Sequence, residues 1–193
     1  FFFQAEDGIR CLVRSRGLGD VYKRQAVIYA ETLLLNSGEE WVMTWAQVND
    51  LEDRLGWEIG SHSISHPDLT TVTNVQLRNE LTQSKQSFTA NGVAVNSFAT
   101  PYGRYDDRVL KAIAKFYSSH RTAWGGQNMY PEIFNDYEIL ALEVTHLTSP
   151  ETVMLWIDEA IANNQWLVLL LHDVVDGIPI EYEYNKNDLK TIV

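Results

Sequence analysis

From Ala26 onward, short apolar runs rich in β-branched residues alternate with segments of helical period, and this alternation limits the possible folds more than any other feature. AVIYAETLLL (26–35) reads as a buried strand. WAQVNDLEDRL (45–55) spaces Trp45, Val48, Leu51 and Leu55 three or four apart, with Thr44 as N-cap and Gly56 as the stop. WEIGSH (57–62) returns to strand. A helix from about Asn74 carries Val75, Leu77, Leu81, Ser84 and Phe88 near one stripe and stops before Gly92. SFATPYG (97–103) is a strand ending in a turn, DDRVLKAIAKFY (106–117) is a helix, and 119–123 is a further strand. Residues 124–138, with Gly, Asn and Pro, read as a long loop, and YEILALEV (137–144) alternates weakly. Thr148 or Ser149 with Pro150 opens the helix ETVMLWIDEAIANN, and WLVLLLHD (166–173) is the strongest buried strand of the chain. Repeated strand–helix units require parallel strands and right-handed crossovers, so the fold class is α/β, either an open doubly wound sheet or a barrel.

Composition narrows the partners. A formal net charge of −11 repels nucleic acid and anionic membrane surfaces, which argues for a neutral or cationic ligand. The longest unbroken apolar run, Trp166 to Leu171, falls far short of the roughly 20 residues that span a bilayer, so no membrane span is expected. No Gly-rich phosphate loop follows any strand, which leaves nucleotide binding without support. Oligomeric state leaves no signal.

Residues 1–25 differ from the rest. FFFQAEDGIRCLVRSRGLGDVYKRQ has neither hydrophobic period, and it is net basic, whereas the other 168 residues are strongly acidic. It resembles translated read-through of a sequencing adapter, and it is expected to be a non-native segment outside the fold. Cys11, the single cysteine, lies in it, so residues 26–193 hold no thiolate ligand or Cys nucleophile. The expected organisation is a domain over 26–175, with 176–193 as a truncated tail of that domain.

The chemistry collects at histidines. His62 and His66 form an H-x-x-x-H pair directly after the strand WEIG, and His172 ends the strand WLVLLL. In parallel α/β folds, ligands and catalytic groups gather at that edge of the sheet. Pro67 biases His66 toward an extended conformation, so the pair belongs in a loop or first turn. Two neutral imidazoles there can converge on one zinc-type cation, and the pair can equally be polar loop residues. No Glu follows the first His, which disfavours a zincin protease. His172 suits a general acid. His120 and His146 read as structural or surface residues.

Taken in order, GWEIGSHSISHPDLTTVTNVQLRNELTQSKQSF, SFATPYGRYD and WLVLLLHDV resemble the polysaccharide deacetylase family, the NodB-homology domain of carbohydrate esterase family four. The resemblance covers about residues 26–175. It implies a distorted, incomplete (β/α) barrel, truncated here at its N-terminal strand, holding one divalent metal ion, most often zinc. It implies removal of N- or O-acetyl groups from an acetylated polysaccharide or oligosaccharide such as chitin, peptidoglycan or xylan. It also suggests a secreted or cell-envelope protein. On the matching positions, His62 and His66 are the metal ligands, Pro101 and Tyr102 line the groove with the Tyr102 N–H near the oxyanion, Leu170 packs beside the acetyl methyl, and His172 is the catalytic acid.

The departures are equally specific. The family's first motif carries paired aspartates, one the base and one a metal ligand, on a strand that would precede Ala26. Only Glu6-Asp7-Gly8 faintly resembles it, with Asp7 as the candidate. Ala99 stands where the family has an Arg, and the fourth motif has no match beyond Trp124. Impaired turnover is therefore expected. The alternative is a catalytically silent carbohydrate-binding domain that stacks sugars on Trp41, Tyr102 and Trp124.

Overall fold

The computed structural model describes residues 2–5, 25–129 and 135–192. In chain order the elements are β1 (Phe2–Ala5), β2 (Gln25–Ala30), the one-turn helix α1 (Thr32–Leu35), α2 (Trp45–Leu55), β3 (Glu58–Ser61) and α3 (Asn74–Ala90). They continue with β4 (Ser97–Ala99), a 3-10 turn over Pro101–Gly103, α4 (Asp107–Ile113), β5 (Ser119–Arg121), β6 (Asn128–Met129) and β7 (Leu142–Glu143). The last are α5 (Pro150–Ala162), β8 (Gln165–Trp166), β9 (Val168–Leu171), β10 (Asp173–Val175), β11 (Glu183–Asn185) and α6 (Lys186–Ile192).

The main sheet has seven strands in the order β5-β4-β3-β2-β1-β9-β7, and every pairing in it is parallel. Its two edges are joined by one segment. Residues 136–139 hydrogen-bond to β5, through His120 N–H to Asp136 O (2.7 Å), Ile139 N–H to His120 O (3.1 Å) and Thr122 N–H to Ile139 O (2.8 Å). A few residues later the same segment becomes β7 and pairs with β9. With only the isolated Arg121–Ile139 bridge beside these bonds, the sheet curls into a distorted, incomplete barrel, the α/β architecture that the resemblance implies.

The period-two alternation of strand side chains sorts the residues between two faces. Ile28, Ile59 and Phe98 point outward and pack under Val48 of α2, Leu77, Leu81 and Phe88 of α3, and Val109 and Ile113 of α4. Leu169 and Leu171 point outward beneath Val153, Ile157 and Ala160 of α5 and Leu189 and Ile192 of α6. Val27, Tyr29 and Ala99 point inward, as do Val168 and Leu170. Helix boundaries follow local chemistry. Thr44–Gln47 and Thr73–Gln76 form capping boxes at α2 and α3, and Gly56 ends α2 in the left-handed conformation (φ 68°).

Three expectations change. The run 26–35 is not one strand; it leaves the sheet after Ala30 and turns into α1, where Thr32 N–H and Leu33 N–H donate to Ser63 O and Ile64 O. The helix expected over 106–117 ends at Ile113, because the chain must turn to reach β5. The strand position expected to be empty is taken by Phe2–Ala5, which pairs with β2 on one side and β9 on the other. Asp7 lies outside the described residues. After residue 175, β11 pairs with β10, and α6 packs on α5 through the cluster holding Leu189 and Ile192.

Candidate active site

His62 is the first residue beyond β3 and is fully buried. Its N–H donates to Ala30 O (3.1 Å), which extends the β2–β3 ladder by one rung. Its Nδ1 lies 2.9 Å from the carbonyl of Ala99 on β4. A carbonyl only accepts, so Nδ1 carries the proton and Nε2 keeps its lone pair. That Nε2 faces His66 Nε2 at 3.1 Å, with the ring centroids 4.8 Å apart.

The bend between the two histidines is strained. Ser63 (φ 71°) and His66 (φ 53°) are both left-handed, a region uncommon outside glycine. The extended backbone that Pro67 predicts for His66 is therefore not adopted. The His66 N–H instead donates to Ser63 Oγ (3.0 Å), a bond that folds the bend back on itself. A residue that sequence reasoning missed grips the bend from outside. Glu80 on α3 accepts from Ile64 N–H (2.8 Å), Ser65 N–H (3.1 Å) and Ser65 Oγ–H (2.8 Å). Ser84, one turn further along α3, donates to Ser63 O (3.1 Å).

The turn after β4 supplies the next wall. Pro101 is buried, whereas Tyr102 is exposed and left-handed (φ 58°), with its ring 4.6 Å from that of His66. Gly103 (φ 61°) is obligatory here, since a Cβ on it would lie 2.4 Å from Ala123 Cβ and 2.9 Å from Trp124 Nε1. Trp124, packed against Gly103 in this way, is exposed, as is Tyr102. Arg104 pairs with Asp68 (2.8 Å) and ties this turn to the segment after His66. The Thr70 hydroxyl, and then Arg104, hold the Asp68 carboxyl below its usual range.

His172 follows β9 directly. Parallel pairing places the ends of β3 and β9 at the same mouth of the barrel, and alternation puts His62 and His172 both on the inner face. His172 Nδ1 lies 3.9 Å from Glu143 Oε1, and its ring is 5.0 Å from that of Tyr182. Leu170, two residues earlier on the same face, is fully buried with Ala123, Ile139 and Ala141. The structure thus groups His62, His66 and Tyr102 tightly, and it sets Leu170 and His172 on another strand at the same mouth. His120 has a different role. It is buried, bonded to Tyr137 O (2.8 Å) and Thr100 Oγ1 (3.1 Å), and burial pushes it down to about 4. His146 is exposed, and its Nδ1 contacts Glu181 O. Trp41 is also exposed.

Two imidazoles on a tetrahedral zinc, each about 2.0–2.1 Å away, would hold their nitrogens roughly 3.3 Å apart. The 3.1 Å separation and the fixed tautomer of His62 fit such a donor pair. No group of three or more His, Cys, Asp or Glu side chains is gathered among the described residues.

Comparison with known proteins shows what the chain is similar to. Residues 24–117 match the family profile "Polysaccharide deacetylase". Residues 24–117 are therefore a polysaccharide deacetylase domain. It is 33% identical over 116 residues to chitin deacetylase 1 of Cryptococcus neoformans var. grubii, an alignment covering 58% of this chain and 24% of that protein. A polysaccharide deacetylase from Bacillus cereus superposes with a TM-score of 0.61 at 25% identity, covering 72% of this chain and 43% of the other. The Streptococcus pyogenes deacetylase PplD, solved in complex with acetate, superposes with a TM-score of 0.57 at 23% identity, covering 68% and 58%. The chain therefore spans about a quarter of the chitin deacetylase and about half of these two structures.

Proposed function

We propose that this chain is the core of a metal-dependent hydrolase that removes N- or O-acetyl groups from a polysaccharide of the chitin, peptidoglycan or xylan type. The single observation that carries the reading is the convergence of His62 and His66 through their Nε2 atoms, with the His62 tautomer fixed by Ala99 O. A divalent ion, zinc by preference, bound to that pair would polarise the acetyl carbonyl and make a water more acidic. The remaining roles fall to the chain's own side chains. Tyr102, exposed beside His66, provides a face for a sugar ring, and Pro101 fixes the turn that presents it. Leu170 supplies an apolar wall for the acetyl methyl. His172 directs Nδ1 toward Glu143, which leaves its Nε2 to hand a proton to the departing amine or alcohol. The acidic surface, with a net charge of −11, suits a product that becomes cationic on N-deacetylation. By family, a secreted or cell-envelope location accompanies this role.

The test is acetate release from N-acetylated chitin oligomers, peptidoglycan fragments and acetylated xylan. Turnover should be low in this chain, abolished by a chelator and by His66→Ala, and raised when a first strand bearing Thr-Phe-Asp-Asp is placed ahead of Ala26. Release that survives both chelation and His66→Ala would overturn the reading. A second reading, a silent carbohydrate-binding domain, draws on the exposure of Tyr102 and of Trp124, which packs against Gly103. Chelator-insensitive glycan binding with no acetate from either form would favour it.

A further inference from the structure

Three buried hydroxyls interrupt an otherwise apolar layer. Ser61, Ser84 and Tyr117 meet between the sheet and α3, where Ile59, Leu77, Leu81, Phe88 and Phe98 form the core. Alternation along β3 turns Ser61 outward with Ile59, on the face opposite His62. Hydroxyls in such a layer add little to stability, because replacing a whole hydrogen-bonded set by apolar groups of the same shape is nearly neutral. Their effect has to be sought at the end of the chain that they form.

The direction of that chain is fixed by its last acceptor. A carbonyl only accepts, so Ser84 Oγ–H donates to Ser63 O (3.1 Å). With its own proton used, Ser84 Oγ accepts from Ser61 Oγ–H (2.7 Å), and Ser61 Oγ accepts from Tyr117 O–H (3.1 Å). The Tyr117 proton is shared with Leu81 O (2.9 Å), and burial pushes that hydroxyl up to about 12, so it remains a donor at neutral pH. Tyr117 is itself pinned. Tyr137 O–H donates to its carbonyl (3.1 Å), and the Phe98 ring lies 5.0 Å from its own. Hydrogen bonds aligned in this way polarise and strengthen one another.

The far end is the strained part of the histidine bend. Ser63 is fully buried and left-handed (φ 71°), and its carbonyl also accepts from Thr32 N–H (3.3 Å). Its hydroxyl accepts from His66 N–H (3.0 Å). Fixing the Ser63 carbonyl therefore fixes the residue whose side chain holds the backbone of His66. We propose that Tyr117, Ser61 and Ser84 are positioning residues acting in series, which keep Ser63 left-handed and so preset His66 for a divalent ion. The proposal deepens the deacetylase reading and rests on it only for what the bound ion is used for.

The experiment compares the full chain with Ser84→Ala, Ser61→Ala, Tyr117→Phe, the Ser84→Ala/Tyr117→Phe pair and all three changes together. Zinc affinity is read by calorimetry, and exchange of the His66 amide by NMR in the metal-free chain. Ser84→Ala should weaken zinc about tenfold, within the range typical of groups behind metal-binding histidines. Tyr117→Phe should weaken it about threefold alone and no further once Ser84 is Ala, as groups in series require. The triple variant should match Ser84→Ala in zinc affinity and melt within about 4 °C of wild type. His66 exchange should quicken in the same order, while the Ile59 amide keeps its rate. If Ser84→Ala does not fold, Tyr117→Phe and the triple variant carry the comparison. Zinc affinity within about twofold of wild type and unchanged His66 exchange in the folded triple variant overturn the proposal. So do effects of Ser84→Ala and Tyr117→Phe that simply multiply, or an affinity loss that only tracks lost stability. The two readings fail separately. Weakened zinc and faster His66 exchange, with no acetate release from any form, overturn the deacetylase and support the hydroxyl chain. Acetate release with unmoved zinc affinity and His66 exchange overturns the hydroxyl chain alone. Should the wild type take up no zinc, His66 exchange still decides it.

Discussion

Glu80→Ala removes the carboxylate that holds the outer side of the His62–His66 bend, and its cost can be worked from three distances. The lost acceptor served two backbone N–H groups at 2.8 and 3.1 Å and one hydroxyl at 2.8 Å. Hydrogen bonds to a charged group are worth about 1.5–3 kcal/mol each when water cannot replace them. Here Ser65 is exposed and Ile64 is only half-buried, so water recovers most of that, leaving a loss of about 1–2 kcal/mol. For a chain of this size, such a loss lowers the melting temperature by about 3–6 °C. The larger effect should fall on the site. Ser63 and His66 occupy left-handed conformations that must be held from outside, and outer partners of metal-binding histidines typically contribute 10–100-fold to affinity. Calorimetric zinc titration should show a drop of about that size, with Glu80→Gln, which keeps one acceptor oxygen, falling in between. If Glu80→Ala melts normally and binds zinc as the wild type does, the bend is held by its own internal bonds, and the role assigned to Glu80 is wrong.

His66→Ala should abolish zinc binding by calorimetry and leave the circular dichroism spectrum unchanged, since His66 is a loop residue and not part of the core. Gly103→Ala should cost about 2–4 kcal/mol in urea unfolding, because it adds a Cβ 2.4 Å from Ala123 Cβ at φ 61°. His120 sets a pH dependence: its folded pKa is about 4 against about 6.5 unfolded, so between those values only the unfolded chain binds the proton, and stability must fall as pH drops. The loss across that window is about 3 kcal/mol, and urea midpoints measured from pH 7 to pH 4 should lose that share of their slope in His120→Gln.

Much of the scaffold was legible because local rules decide it. Thr44, Gly56, Asn74, Ser149 and Pro150 sit at helix ends in the structure as in the sequence, since capping depends on three or four adjacent residues. The strands after 57, 97 and 166 are legible for a similar reason, as short apolar runs between helices. Legibility failed where a long-range contact overrides a local preference. AVIYAETLLL has strand character throughout, yet its second half pairs with the carbonyls of Ser63 and Ile64 and becomes a helical turn. Pro67 disfavours compact backbone at His66, yet the Ser63 hydroxyl and the Glu80 clamp around the same bend hold it left-handed.

The site divides along the same line. His62, His66, Tyr102 and His172 stand out because their spacing is short or because they end a strand. Glu80, Arg121 and Glu143 do not, because nothing within ten residues distinguishes them from ordinary surface charges. What makes them special is register. Glu143 matters because it faces Leu170 across a parallel ladder, and Arg121 because the partner that it faces is Ala99. Had either strand slipped by one residue, each side chain would have moved to the helix-covered face, where a buried charge would meet only Leu, Ile and Phe. The buried Arg121 thus serves as a register mark. Arg121→Met, of similar length and without charge, tests this: urea unfolding should show a stability that changes little or rises, and a loss above about 3 kcal/mol would show that the charge itself holds the strand in place.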